Sequence, residues 1–259
     1  MKINITKANG NNNDFIIILK KDLPNKFSLT KNFIKSLCKQ ELDNLVDGFI
    51  LIDSDTYKVD YYNNDGTWET LCINSLRCSA LLLNQIENKR KFNFLCGDGE
   101  HLVTVNSANS ITASMHKPRY KSKEILVEGC RGYFIDSGAK HFVIEYKESW
   151  PNIEELTNIS QKIRYNSKIF PEGINVNFFK KINNDSIHVK TYEKGIESIM
   201  PSCASGSFAC AYHYAKKSLL NKINVKNDVG SLITNFDFKI DNYSITGPAE
   251  IEYQKEINI

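Results

Sequence analysis

Tyr61-Tyr-Asn-Asn-Asp-Gly66 runs into Cys72-Ile-Asn-Ser75 and then into a stretch of helical periodicity that carries Cys78. Much later, Val189-Lys-Thr-Tyr-Glu-Lys-Gly195 runs into Cys203-Ala-Ser-Gly206 and a second helical stretch, which carries Cys210. Glycine to cysteine is six residues in the first passage and eight in the second; cysteine to cysteine is six and seven. One strand–turn–cysteine–helix passage is a weak signal. Two of them in one chain point to a duplicated domain whose sites face each other.

The flanking sequence has the same character. Ile3–Ile5, Asp14–Leu19, Gly48–Asp53, Lys58–Asn63, Lys91–Cys96, His101–Val105 and Ser110–Met115 are short, rich in β-branched or aromatic residues, and bounded by Asn, Asp or Gly. They read as strands. Apolar positions recur at three and four through Leu29–Leu45 and Leu76–Ile86, which predicts helices. His116-Lys-Pro-Arg-Tyr120 breaks the series, and the boundary between halves is placed near Pro118. Beyond it Gly132–Asp136, Phe142–Tyr146, Asn175–Ile182 and Ile187–Tyr192 read as strands and Ile153–Arg164 as a helix, and a small-residue turn around Cys203 leads into a helix through Leu220. Tyr243–Ile251 is a closing strand that could pair with either half.

At 259 residues, with 41% apolar and 24% charged, the chain fits one large domain or two small ones, and its composition excludes disorder, collagen and coiled coil. A net charge of +3 is too even to suggest nucleic acid or an anionic membrane as partner. The start, Met1-Lys-Ile-Asn-Ile5, has no apolar signal segment, so a soluble, cytoplasmic protein is expected. The seven cysteines include no Cys-x-x-Cys pair and no histidine at ligand spacing, so neither a disulfide framework nor a metal site is expected. Cys38, Cys78, Cys96, Cys130 and Cys210 read as buried fillers within their elements.

Cys72 and Cys203 differ by their context. A helix N-terminus carries unpaired N–H groups and partial positive charge, which stabilise a carboxylate and favour thiolate over thiol. Two opposed thiols, one ionised, could take a proton from one face of a carbon and return one to the other, inverting a stereocentre. No lysine motif for pyridoxal phosphate is evident, so no cofactor is expected. Electrostatic stabilisation at the substrate carboxylate would then have to lower the barrier.

Asn63-Asn-Asp-Gly66 with Cys72-x-Asn-x-x-Arg-Cys78 resembles the first active-site segment of the diaminopimelate epimerases. Gly10-Asn-Asn-Asn-Asp-Phe15, Asp47-Gly48, Phe170-Pro-Glu-Gly-Ile-Asn-Val-Asn177, Tyr192-Glu-Lys-Gly195, Cys203-x-Ser-Gly206 and Thr246-Gly-Pro-Ala-Glu250 resemble further blocks of that family in the same order. The resemblance implies an α/β (α+β) protein of two pseudo-symmetric domains. Each would be a barrel-like, mostly antiparallel sheet around a central helix, with the active site in the cleft between them. Residues 1–117 would form the N-terminal half, joined by a strand at about 246–259, and residues 118–245 the C-terminal half. It also implies a cytoplasmic homodimeric isomerase that epimerises LL-diaminopimelate to the meso form without a cofactor.

Carried over by position, the resemblance makes Cys72 and Cys203 the acid/base pair. The backbone at Ile73-Asn74 and Ala204-Ser205 would hold the reacting carboxylate. Asn13, Asn63, Asn175, Glu193 and Lys194 would read the far end of the substrate, and His141 with Glu193 would tune the site. Where the family has Cys-Gly-Asn-Gly and Gly-Asn-Pro-His, this chain has Cys72-Ile-Asn-Ser75 and Gly138-Ala-Lys-His141. Ile199-Met200 replaces Glu-Thr, and Lys194 stands in place of arginine. These replacements lean apolar around the expected substrate. They keep open a racemase for another amino acid, a non-catalytic amino-acid-binding homologue, and a thiol pair that forms a disulfide.

Overall fold

The stretches after Cys72 and Cys203 form helices of 15 residues each, Ile73–Glu87 and Ala204–Ser218. Their burial is not one-sided. Every residue from Ile73 to Leu83 is buried in the first, and all but Ser205 from Ala204 to Ala215 in the second. A helix buried all round must be wrapped by the rest of its domain. Small residues at Ser75, Ser79 and Ala80, and at Gly206, Ser207, Ala209 and Ala211, let the surrounding sheet approach.

The computed structural model describes residues 2–25, 27–40, 46–107 and 109–258. The chain divides into two units, Met1–Ser114 with Thr246–Ile259, and Met115–Ile245. In chain order the elements begin β1 (Lys2–Asn9), β2 (Asp14–Leu19), α1 (Lys31–Gln40), β3 (Gly48–Asp53), β4 (Lys58–Asn63), β5 (Trp68–Glu69), α2 (Ile73–Glu87), β6 (Lys91–Cys96), β7 (Gly99–Ser107) and β8 (Ser110–Met115). They continue β9 (Arg119–Tyr120), β10 (Ile125–Val127), β11 (Cys130–Asp136), β12 (Lys140–Glu145), α3 (Ile153–Arg164), β13 (Asn175–Lys181), β14 (Ser186–Glu193), β15 (Ser198–Met200), α4 (Ala204–Ser218), β16 (Lys222–Lys226), β17 (Ser231–Asp237), β18 (Asn242–Gly247) and β19 (Glu250–Asn258).

The duplication is visible as topology. In the first unit β1–β2 is antiparallel, β2–β3 parallel, β3–β4 antiparallel, β4–β6 parallel and β6–β7 antiparallel. The second unit repeats this sequence in β11–β12, β12–β13, β13–β14, β14–β16 and β16–β17. The parallel steps need crossovers; α1 and α3 supply the first of each set, and α2 and α4 the second. The class is therefore α/β, with a mostly antiparallel sheet about a central helix in each unit.

The crossover helices α1 and α3 are amphipathic where the central ones are not. In α3, Leu156, Ser160 and Ile163 share one buried face, and Leu156 and Ile163 pack on Phe142, Val176 and Phe178. Its start is fixed by Asn152, whose side chain accepts from Glu155 N at 2.9 Å, a cap typically worth about 1 kcal/mol. In α1, Ile34, Leu37 and Cys38 pack on Ile16, Ile18 and Phe49.

Several expectations are corrected. The helix over Leu29–Leu45 begins at Lys31 and is described to Gln40, and positions 41–45 lie outside the described residues. The single strand Tyr243–Ile251 is two strands, because Pro248 has no N–H to give a ladder. β19 pairs with β1 from Lys2↔Asn258 to Asn9↔Glu250, with a bulge at Lys7/Ala8. Strands β16 and β17 were not anticipated, although Ile223, Val225, Leu232, Thr234 and Phe236 alternate inward in the strand period. Cys96 and Cys130 are not interior fillers: they end β6 and begin β11 and are half-buried, whereas Cys38, Cys78 and Cys210 are fully buried. Among the described residues, no helix is long and apolar enough to cross a membrane.

Candidate active site

Cys72 and Cys203 are the N-caps of α2 and α4. Both are extended, with φ −134° and ψ 108° at Cys72 and φ −134° and ψ 112° at Cys203. Each carbonyl starts its helix, accepting from Leu76 N at 3.1 Å and from Ser207 N at 2.9 Å. Neither side chain makes a cap hydrogen bond to its first turn. The N–H groups of that turn therefore have neither an intrahelical partner nor a capping thiol. Cys72 is half-buried and Cys203 is 7% exposed.

In the first unit the start of α2 is tied to the β1–β2 turn. Asn74 Nδ2 donates to Asn13 Oδ1 at 3.2 Å, and Asn13 Nδ2 donates to Asp47 Oδ2 at 2.7 Å. Asp47 also accepts from Asp14 N, and burial pushes its carboxyl pKa upward. Gly10 is required beside this turn: a Cβ there would lie 2.9 Å from the Asn74 carbonyl and 3.1 Å from Cys78 Sγ. Ile73, the replacement for the family's glycine, is 2% exposed. Asn63 belongs to a separate cluster at the end of β4, where its Nδ2 donates to Thr67 Oγ1 and Glu69 Oε1.

Within α2, five residues past Cys72, lies Arg77, 0% exposed. Its Nη2 donates to Asn74 Oδ1 at 2.6 Å and its Nε to the Pro248 carbonyl at 3.1 Å, while Nη1 has no partner. Burial lowers its pKa to about 10, which leaves it charged at neutral pH.

In the second unit the start of α4 rests on a buried polar chain. Thr191 Oγ1 donates to Asn177 Oδ1 at 2.9 Å, which turns the amide so that Nδ2 faces His141 Nδ1 at 3.0 Å. The proton of the neutral imidazole is then on Nε2. Burial holds His141 down to about 4, so it is uncharged at neutral pH, and its Nε2 has no partner. Gly206 sits directly above: a Cβ there would fall 2.2 Å from Asn177 Oδ1. Ser137 Oγ donates to the Ser205 carbonyl at 3.1 Å, and the Cys203 sulfur lies 3.6 Å from Ser205 Oγ.

Asn175, Glu193 and Lys194 form a second group of this unit. Asn175 Oδ1 accepts from Lys194 N at 2.8 Å and its Nδ2 donates to the Lys140 carbonyl at 2.9 Å. These bonds use one of its two lone pairs and one of its two N–H groups. The turn beyond is closed by Glu197 N donating to Glu193 O at 2.8 Å. Arg164 holds Glu197 from below, with Nη2 at 2.8 Å. In β15, Ile199 and Met200 pair with Tyr192 and Thr191, and Ser198 with Glu193.

Each unit thus assembles its own part of the expected set: Cys72, Ile73, Asn74 and Asn13 with Asn63 apart, and Cys203, Ala204, Ser205 and His141 with the Asn175 group beside them. The sequence reading missed Asn177, Thr191 and Ser137, and gave Arg77 no role. A signal for Asn177 was present: Asn175 and Asn177 are two apart on one strand and so share a face. Each half presents a thiol beside unpaired N–H donors, an arrangement able to bind a carboxylate and to exchange a proton at the adjacent carbon.

A diaminopimelate epimerase from Hydrogenobaculum sp. is 30% identical over 254 residues, covering 86% of this chain and 92% of the relative. One from Flavobacterium psychrophilum is 30% identical over 266 residues, covering 97% and 98%. Among solved structures, a hydroxyproline epimerase from Agrobacterium vitis, with bound trans-4-hydroxy-L-proline, aligns with a TM-score of 0.72 at 12% identity, covering 99% of this chain and 92% of that one. No protein-family model matches the chain.

Proposed function

Because the chain belongs to the diaminopimelate epimerase family of isomerases, we propose that it converts LL-diaminopimelate to the meso form by a two-thiol, cofactor-independent proton transfer. Cys72 and Cys203 are the acid and base. One thiolate removes the α-proton, the carbanion is held by charge spread onto the carboxylate at the helix ends, and the opposite thiol returns a proton to the other face. The observation that carries this reading is the matched N-cap geometry of the two cysteines, which places each at the head of a helix with the same backbone conformation.

The first-turn backbone at Ile73-Asn74 and Ala204-Ser205 binds the reacting carboxylate, and Asn13, Asn63, Asn175, Glu193 and Lys194 serve the distal amino and carboxylate groups. His141 and Glu193 tune the site. The protein works as a cytoplasmic homodimer with no metal and no nucleic-acid partner.

A racemase for a different amino acid is the second reading, favoured by the apolar replacements Ile73, Ala139 and Ile199-Met200 around the expected substrate. Incubating the reduced protein in deuterated water with LL-diaminopimelate and a panel of amino acids separates the two. Deuterium at the α-carbon of diaminopimelate, lost in Cys72→Ser and Cys203→Ser, supports the first. Exchange confined to another amino acid overturns it in favour of the second.

A further inference from the structure

The two cysteines have the same helix end, so the helix dipole does not distinguish them. What stands behind them does. Moving Arg77 forward by the interval from Cys72 to Cys203 lands on Phe208, so the second unit has no cation at this position. Its buried polar group near the helix start is His141, which is neutral. One half therefore carries a buried positive charge and the other does not.

Arg77 is an unusual cation. It is fully buried, and among the described residues no carboxylate pairs with it: its partners are an amide oxygen and a carbonyl, and Nη1 has none. A buried guanidinium without a counter-ion is costly, so an anion within reach stabilises it. Side chains on a helix lean toward its N-terminus, and the bond back to Asn74 Oδ1 fixes the guanidinium at the level of the first turn, which Cys72 caps. The other charges nearby do not serve as that anion. Asp14 and Glu252 are taken up by Lys7, at 2.7 Å and 3.3 Å. Asp47 is engaged by Asn13 and Asp14. Cys78 and Cys96 are pushed by burial up to about 12 and stay protonated.

We propose that Arg77 is a positioning residue whose charge makes Cys72 the ionised member of the resting thiol pair, leaving Cys203 protonated. The inference rests on the two-thiol reading of the site. It adds which sulfur starts as base and the group that decides it.

The test is the pH dependence of iodoacetamide labelling, mapped by peptide mass spectrometry, in the reduced full-length protein. In the wild type, Cys72 labels with a lower apparent pKa than Cys203. In Arg77→Met the apparent pKa of Cys72 rises by about one to two and its labelling near pH 7 slows roughly tenfold or more, with Cys203 little changed. Arg77→Lys, which keeps the charge but not the fork, restores most of the reactivity. A purely structural Arg77 would leave both variants alike. The proposal is overturned if Cys203 is the more acidic thiol in the wild type, or if Arg77→Met moves both thiols equally or neither. The wild-type order decides even where a variant folds poorly. Because labelling needs no turnover, a failure here is distinct from a failure of substrate exchange, which would sink the two-thiol reading itself.

Discussion

Cys72 and Cys203 cap their helices with almost the same backbone conformation, φ −134° with ψ 108° and φ −134° with ψ 112°. The surroundings have diverged far more than the caps. One helix start is held by Asn13, Asn74 and Arg77, the other by His141, Asn177 and Thr191. Retention of the cap geometry against such different supports is what a shared task for the two thiols requires.

Gly206→Ala should damage the second helix start. The added methyl would meet Asn177 Oδ1 at 2.2 Å and Thr191 Oγ1 at 2.9 Å, both within a buried network that cannot yield cheaply. A loss of about 1–3 kcal/mol in stability is expected, with a fall in turnover larger than the melting shift alone explains. Thermal melts and initial rates check it; an unchanged rate would show that the network does not position α4.

His141 makes stability depend on pH. Its folded pKa, about 4, lies below the value near 6.5 of an unfolded histidine. The unfolded chain therefore binds more protons between those values, and stability is lost as pH falls through that window, by roughly 3 kcal/mol for this group. His213, held at about 4 by burial, acts in the same sense. Denaturant titrations from pH 7 to 4 should show the decline, and His141→Gln should remove about half of it. A wild-type profile flat over this range would contradict the burial of a neutral imidazole.

Leu219 ends α4 in the left-handed region, with φ 57°, and is 89% exposed. A branched side chain there costs about 1 kcal/mol relative to glycine and gains nothing from packing. Leu219→Gly is expected to raise the melting temperature by about 2–4 °C with activity unchanged. Asn88, which holds the matching position after α2 at φ 51°, tolerates that conformation better, so Asn88→Gly should change little.

Asn175→Ala removes the acceptor for Lys194 N and the donor to the Lys140 carbonyl. The turn carrying Glu193 and Lys194 then loses its anchor. KM should rise by about tenfold or more while kcat falls less, as expected where a residue supports binding more than proton transfer. Equal loss in both constants would place Asn175 in the chemical step.

Much of the fold was legible because its signals are local. Asp14–Leu19, Gly48–Asp53 and Ile153–Arg164 match their elements residue for residue, since polar residues bound apolar runs at both ends. β16 and β17 were not, although Ile223 and Val225, and Leu232, Thr234 and Phe236, alternate inward: each strand holds only two or three inward residues in a short segment, too few to stand out locally. The cysteines at the helix starts stood out through their repeated context. Thr191 and Asn177 could not be joined in advance, because only the antiparallel register of β13 on β14, with Asn177 opposite Thr191, brings them together. Arg77 was in plain view within Cys72-x-Asn-x-x-Arg-Cys78, but its lack of a carboxylate partner is a property of packing.

The central claim is that two thiols act on opposite faces of one carbon. It is tested most directly by following LL-diaminopimelate in deuterated water at early times by proton NMR. The account predicts that the inverted α-carbon of the meso product carries deuterium while unreacted substrate keeps its proton, and that Cys72→Ser and Cys203→Ser each abolish inversion. Equal deuterium in recovered substrate and product from the first turnovers, or inversion that survives loss of either cysteine, would contradict it.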